Sequence, residues 1–532
     1  MKSWPHAWVM GAVVAGIMAG GVANAGTKAW TGLGADDYWN TALNWTNSNA
    51  PNPDGGDTVR FTNAWTADFV NRLDTNYTLT SLIYSNSSLV NTHTTDLNGF
   101  ALTVTNQLNA GYMQSNTLAV MTNGTLVLGT NNSSASVYVG YATAGTFLSN
   151  SLTIAGPVVV SNLNLLYVGV NNNGSPGGKA GGQLTFGTSI NSMGAPNSLV
   201  VGSLLVGADP SAAANHGGGA LGTLVLPPTL TNLQVGTLRV GYSFCWGGYA
   251  SIGLVDIGSN SALQSLTVSN EFSLAANGGR LGQIGYLSST GFVNFLPTNG
   301  LTLTIGSTQA AANIMIADMA FYAGSSLEST GRLSLVNGSF VGFLNNVGIG
   351  TSDDTANGGG RGLLDLSGCT NFVCNTRSDC FVANSLILGG GRLTSPSARG
   401  GNSQGTLLLP ASVTNLEVGT LRLGCGGFWN EANASIGYLG FGTNSQLQSL
   451  TASNEFSLGT RSGVGRIGYT NAGGPFVDFL PTNLTLKVGS SNSPAVMNIG
   501  YCDINAGVVA SGRVVLAKGA FIANLASNNV LV

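Results

Sequence analysis

The stretch that decides the fold is GTLVLPPTLTNLQVGTLRVG, residues 222–241, because GTLLLPASVTNLEVGTLRLG occupies residues 405–424 with 14 of 20 positions identical. The differences are conservative: Leu230 becomes Val413, Val240 becomes Leu423 and Gln234 becomes Glu417. The text after each copy recurs in the same order. LQSLTVSNEFSL at residues 263–274 returns as LQSLTASNEFSL at 447–458, and FVNFLPTN from Phe292 returns as FVDFLPTN from Phe476. LTLTIGS from Leu301 returns as LTLKVGS from Leu484. The offset holds at 183 or 184 residues, so these are aligned copies of one long unit.

Within the unit runs a finer rhythm of short strands that end in a hydrophobic residue and a glycine. VYVGY starts at Val137, LLVGA at Leu204, LRVGY at Leu238, VGIGT at Val347 and LRLGC at Leu421. In LTLTI, Leu301, Leu303 and Ile305 point one way while Thr302 and Thr304 point the other, the period of a strand. Leu233 and Val235, then Leu238 and Val240, repeat the pattern around Gly236, where a bend is expected. Helical periodicity of ten or more residues is absent after the N-terminal segment.

These features predict an all-β chain, a right-handed parallel β-helix (β-solenoid) with irregular loops. Aliphatic residues stack inside successive coils, and Thr, Ser, Asn and Gly face outward. Tandem sandwiches would give repeats of about 100 residues separated by linkers, which the chain lacks. At roughly 20–25 residues per coil the mature chain would hold about 20 coils, a rod on the order of 90–100 Å at about 4.8 Å each. The expected divisions are a signal peptide (1–25), an N-terminal cap (26–65), first coils (66–150), repeat unit 1 (151–331), repeat unit 2 (332–512) and a third unit that breaks off (513–532).

Composition narrows the partners. Charged residues are 7% of the chain and glycine numbers 78, so neutral hydrogen-bonding groups keep the surface wet. Hydrophobic residues at 43% argue for a packed core rather than disorder. Net charge is −3, from 18 basic and 21 acidic residues. No basic stripe is evident, which argues against nucleic acid, and no polybasic segment marks an anionic membrane. Lys2, the apolar run AWVMGAVVAGIMAGGV and the small residues ANA at 23–25 predict export, with maturation at Gly26. No transmembrane segment is expected in the mature chain.

Residues 28–61, KAWTGLGADDYWNTALNWTNSNAPNPDGGDTVRF, differ in kind. Trp30, Trp39 and Trp45 are three of eight tryptophans, set among Asp36, Asp37, Asp54 and Asp57. A solenoid end exposes a strand edge and the core beneath it, and large aromatics suit its closure. The order W-x-G, W-[NS]-x(3)-N-W and P-x(2)-G-D-x-V-x-F, here with a looser PDGGDTVRF from Pro53, resembles the start of large exported bacterial proteins built from autotransporter-associated β-strand repeats. That resemblance covers about 35 residues and implies a secreted or surface-exposed β-helical passenger, with no catalytic residues to transfer. Extracellular polysaccharide or cell-surface components are the partners expected of such a protein. The tryptophans have a second reading as a sugar-stacking platform, with the nearby carboxylates taking hydroxyls or calcium.

Catalytic candidates are sparse, and no cofactor is expected. Asp353 and Asp354 are the most conspicuous carboxylate pair, and Asp365, Arg377 and Asp379 flank the cysteine cluster Cys369, Cys374, Cys380. An exported protein permits one local disulfide there, between Cys374 and Cys380, while Cys245, Cys425 and Cys502 stand apart. His93 and His216, the only histidines of the mature chain, lack partners at metal or triad spacing. The expectation is a non-enzymatic structural or adhesive module; the alternative is a β-helix that binds or degrades polysaccharide.

Overall fold

The computed structural model describes residues 25–531 except 63–65, 86–89, 112–115, 143–146, 173–178, 193, 211–218, 244–250, 277–278, 289–290, 294–299, 319–327, 353–358, 392–402, 427–434, 443, 461–462, 471–475, 478–482, 491, 501–509, 515 and 517. Residues 1–24 of the expected signal peptide, Asp353, Asp354, His216, Cys245 and Cys502 fall outside the described residues. Every coil contributes to two sheets that face each other, a wide one of 25 strands and a narrow one of 16. Among the described residues the strands of successive coils pair in parallel; short antiparallel strand additions occur at three places, such as Asn371–Cys374 against Arg377–Ser378. The chain is a parallel β-solenoid. No helix of the described residues is long and apolar enough to cross a membrane.

Alternation along each strand builds the core. Leu301, Leu303 and Ile305 are fully buried while Thr302 and Thr304 are half-exposed. Leu233, Val235, Leu238 and Val240 are likewise buried. Their two pairs have opposite sequence parity because the chain turns its face at Gly236, as the preceding coil does in the same register at Gly202 between Val201 and Leu204. The next coil adds a residue there, with Ser269 and Asn270 opposite Gly236 alone. The extra residue is a bulge on the strand of the next coil, whose inward residues Leu266, Val268, Phe272 and Leu274 keep one parity. Stacked in register, Leu204, Leu238, Phe272 and Ile314 form one of several inward rows. Each such side chain is worth about 1.5–3 kcal/mol of burial.

The coil is longer than the sequence suggested. One row of paired residues runs through Ala29, Arg60, Ile83, Asn109, Tyr138, Tyr167, Leu205, Arg239, Ser273, Met315, Gly348, Ile387, Arg422, Ser457, Asn498 and Leu531. Steps vary from 23 residues (Arg60 to Ile83) to 42 (Ser273 to Met315). The expected 20–25 residues per coil and 20 coils are therefore corrected to sixteen rungs of roughly 34 residues, a rod of about 70 Å at about 4.8 Å per step. The short period failed because one coil carries strands in both sheets, and the wide-sheet strand itself bends partway along. Arg239 reaches Arg422 in five steps, and Ser273 reaches Ser457 in five. The 183-residue repeat is a block of five coils.

Two rows of small residues close the corner between the sheets. The residue after the last inward position of the wide-sheet strand has positive φ in twelve successive coils, from Gly111 to Gly500. At Gly424, φ is 60°, a region that costs an L-residue about 1–2 kcal/mol. Facing it on the narrow sheet, glycine holds ten consecutive rungs in register from Gly182 to Gly512. The two rows meet backbone to backbone, so at most of their positions a Cβ would collide with main chain, as at Gly424 and Gly437. Two positions in the corner row break the rule: Ala275 and Ala317 sit at φ 51° and 53°, where Gly459 and Gly500 stand five coils later. Converting both alanines to glycine is expected to stabilise the rod by about 1 kcal/mol, read as a rise in the urea midpoint. A fall in that midpoint would contradict the strain.

Candidate functional site

The tryptophan platform is not a binding surface. Trp30, Trp39 and Trp45 are 1%, 0% and 2% exposed and belong to the continuous core. Trp45 packs edge-on against Trp30 and Trp39 with centroids 4.8 and 5.6 Å apart, and Phe61 and Tyr77 complete the cluster. Trp45 Nε1 donates to the Trp39 carbonyl at 2.7 Å, and Trp39 Nε1 donates to Asn71 Oδ1 at 2.6 Å. The sugar-stacking reading of these three residues is corrected on that ground: no ring face is open. Nor are the carboxylates beside them all at liberty. Asp57 accepts from the backbone of Gly26 and Asn52, and Asp36 accepts from Thr41 Oγ1 and Tyr38 N, bonds that lower its pKa.

Beneath the tryptophans lies a buried polar chain. An indole only donates, so Asn71 turns Oδ1 to Trp39 and its amide nitrogen to His93 Nε2, 2.6 Å away. That nitrogen also reaches Thr95 Oγ1 at 3.1 Å, and Thr95 meets the Tyr84 hydroxyl at 2.7 Å. His93 must therefore accept at Nε2 and carry its proton on Nδ1, which has no partner. Phe61, Phe69 and Tyr84 enclose the ring at 4.2, 5.0 and 5.1 Å. Burial lowers its pKa to about 3, which makes it a neutral core histidine and not a ligand or base.

The expected disulfide between Cys374 and Cys380 is absent; both are free, as are Cys369 and Cys425. Cys374 extends the inward row of Ile305 and Gly342, whereas Cys380 alternates with the inward Phe381. The two thiols thus leave opposite faces of their strands, and Cys374 Sγ instead lies 3.2–3.3 Å from the Val382 backbone. Burial raises the pKa of Cys369 and Cys374 to about 12, so neither is a thiolate. Asp365 accepts from Ser367, Arg377 pairs with Glu417 at 2.6 Å, and the Asp379 backbone serves the turn between coils, which scatters the constellation around the cysteines. Among the described residues no group of three or more His, Cys, Asp or Glu is placed to hold a metal ion.

What sequence reading missed lies on the outer face of the wide sheet. Tyr138 and Tyr167 occupy one outward row on adjacent coils, with Tyr141 beside them; centroids are 5.0, 5.5 and 6.4 Å apart and all three rings are half-buried. Asn172 Nδ2 donates to the Tyr141 hydroxyl at 2.7 Å. Burial, then the neighbouring Tyr138 and Tyr141, raises the pKa of Tyr167, which keeps its hydroxyl beside flat apolar ring faces. Two coils on, Arg239 lies over the Tyr242 ring at 4.3 Å and makes a two-pronged pair with Glu271, 2.8 Å at each prong. Five coils later Arg422 and Glu455 repeat that pair at 2.9 and 2.7 Å. Burial would lower the pKa of both arginines, and the carboxylate hydrogen bonds together with the neighbouring charges outweigh it, so both are raised. A clue was present: VYVGY and YVGV place Tyr138 and Tyr167 29 residues apart, one coil at the true period.

Compared with known proteins, the chain matches no family model, no curated protein and no solved structure.

Proposed function

We propose that the chain is an exported, non-enzymatic β-solenoid that serves as a structural and adhesive module outside the cell or on its surface. The observation that supports this most is what the five-coil block copies. Core Leu238 returns as Leu421, corner Gly241 as Gly424, facing Gly253 as Gly437, and the pair Arg239 with Glu271 as Arg422 with Glu455. All of these hold coils together. A catalytic centre gains nothing from a second scaffold, whereas a rod gains length and another set of faces. The tyrosines are not copied: Met315 and Gly348 stand at the rungs five coils beyond Tyr138 and Tyr167. Adhesion is accordingly assigned to the outer faces, where the copies differ.

The test is a glycan panel probed with the chain from Gly26 onward, with product analysis. Binding without new reducing or unsaturated ends is the expected result. Release of such ends, abolished by a single Asp→Asn change, would replace this reading with the polysaccharide-degrading alternative.

A further inference from the structure

The outer face of the narrow sheet carries a second surface, on different coils from the tyrosines. A cavity of about 230 Å³ opens there, lined by Arg332, Arg361, Gly362, Leu363, Gln404 and Thr406. Three successive strands build it: Ser329–Val336, Gly360–Gly368 and Gln404–Leu409. Their register puts Arg332 beside Leu363 and Leu363 beside Thr406, with Arg361 beside Gln404 in the neighbouring outward row. Glycines 331, 362 and 405 alternate with these side chains on the inward face and hold the strands against the corner, so the polar groups project from a rigid floor.

The charges are unequally engaged. Arg361 is paired with Glu328 at 2.6 Å. Arg332 is exposed and has no carboxylate partner among the described residues, and the nearest outward acid two positions along the strand, Asp365, accepts from Ser367. Among the described residues the cavity therefore keeps one guanidinium outside any ion pair. Beside it stand a second guanidinium, a primary amide and a hydroxyl, all neutral or positive donors. The same row continues through Tyr438 to Arg466, whose guanidinium lies over the Tyr438 ring at 5.5 Å, and Arg513 follows one coil further. From Arg332 to Arg466 is four coils, about 19 Å.

We infer that this track binds an acidic linear polysaccharide lying along the rod axis, with one carboxylate or sulfate seated between Arg332 and Arg361. The planar fork of Arg332 matches such an anion, and Gln404 and Thr406 match the hydroxyls of a sugar ring. Tyr438 offers the next ring a partly apolar wall. Nucleic acid fits less well: its duplex carries one charge per about 1.7 Å, far denser than arginines separated by neutral coils. The inference rests on the adhesive reading of the rod and names the ligand class of one face.

The experiment measures binding of the chain from residue 26 to three immobilised probes: a polyuronate, a sulfated galactan and a neutral galactan. Duplex DNA is a fourth arm. Arg332→Gln with Arg361→Gln is compared with wild type and with Arg72→Gln, a change on the first coils, with circular dichroism to check that each variant is folded. Wild type is expected to bind an anionic probe over the neutral one, and more weakly as ionic strength rises from about 0.01 M to about 0.15 M. The double variant should lose about tenfold in affinity, the scale of charge-assisted hydrogen bonds removed together, and Arg72→Gln should lose nothing. Preference for the polyuronate assigns a carboxylate and preference for the sulfated galactan a sulfate. Equal binding to the neutral galactan, stronger binding to DNA, or an unchanged double variant would overturn the inference. In the last case glycan binding through another face would leave the adhesive reading standing, whereas no binding to any glycan would remove both.

Discussion

Replacing Gly405 by alanine is expected to destabilise the rod by about 3–5 kcal/mol, more than a typical buried substitution. Gly405 lies on the narrow sheet in the unbroken row that joins Gly362 to Gly437. A Cβ at this position would sit well under 3.0 Å from the carbonyl oxygen of Ile349 and the amide nitrogen of Gly389. Both obstacles are backbone, so no rotamer change relieves the overlap. The coils must separate, and separation breaks the ladder on either side. Each coil touches only its neighbours, so the damage should centre near residues 349–437, and limited proteolysis would cut there first. The measurement is urea unfolding of wild type and Gly405→Ala. A difference under about 0.5 kcal/mol, the range of an ordinary surface change, would show that the sheets are not in close contact at this corner.

The second large effect is with pH. His93 is neutral in the folded chain, its pKa lowered to about 3 from an ordinary value of 6.5 by burial. Protonation would also turn Nε2 into a donor facing the amide nitrogen of Asn71, itself a donor held in place by Trp39. The unfolded chain takes up a proton below pH 6.5 and the folded chain does not. Stability from this group is therefore complete above about pH 6.5 and is lost as pH falls toward about 3. By pH 4.5 the loss amounts to about 2–3 kcal/mol at 1.36 kcal/mol per unit. Carboxylates titrate over the lower part of this window, so the comparison is with His93→Gln, which keeps an acceptor for Asn71 and cannot ionise. The expected result is a shallower loss of stability in the variant between pH 7 and 4.5; equal slopes would remove His93 as the cause.

The sequence made the architecture readable because repetition and alternation are written residue by residue. LTLTI announces which side faces in, and the bend at Gly236 follows from the change of parity between Val235 and Leu238. The corner row was also in view as strands ending in hydrophobic and glycine. Its partner was not, since Gly222, Gly253 and Gly282 stand in different sequence contexts and become a row only once the register is known. The coil length was misjudged for a related reason: the strand signal repeats twice or more per turn. With that period wrong, Tyr138 and Tyr167 could not be seen as neighbours, nor Arg332 and Arg361. The tryptophans illustrate a different limit. Composition says that aromatics cluster at residues 28–61, but only packing says that their faces are spent on one another. Cys374 and Cys380 are close in sequence and would suit a bridge, yet strand alternation sends them apart.

The direction of the hydrogen bonds gives the rod a mechanical character. Bonds between coils run along the axis, each rung fastened only to the one before and the one after. Tension applied at the two ends loads these rungs in series, so the rod should yield by peeling one terminal turn at a time instead of failing all at once. A turn of roughly 34 residues releases on the order of 110 Å of extended chain, many times its folded rise. Such a filament absorbs work in steps and holds its remaining length in register while it does so.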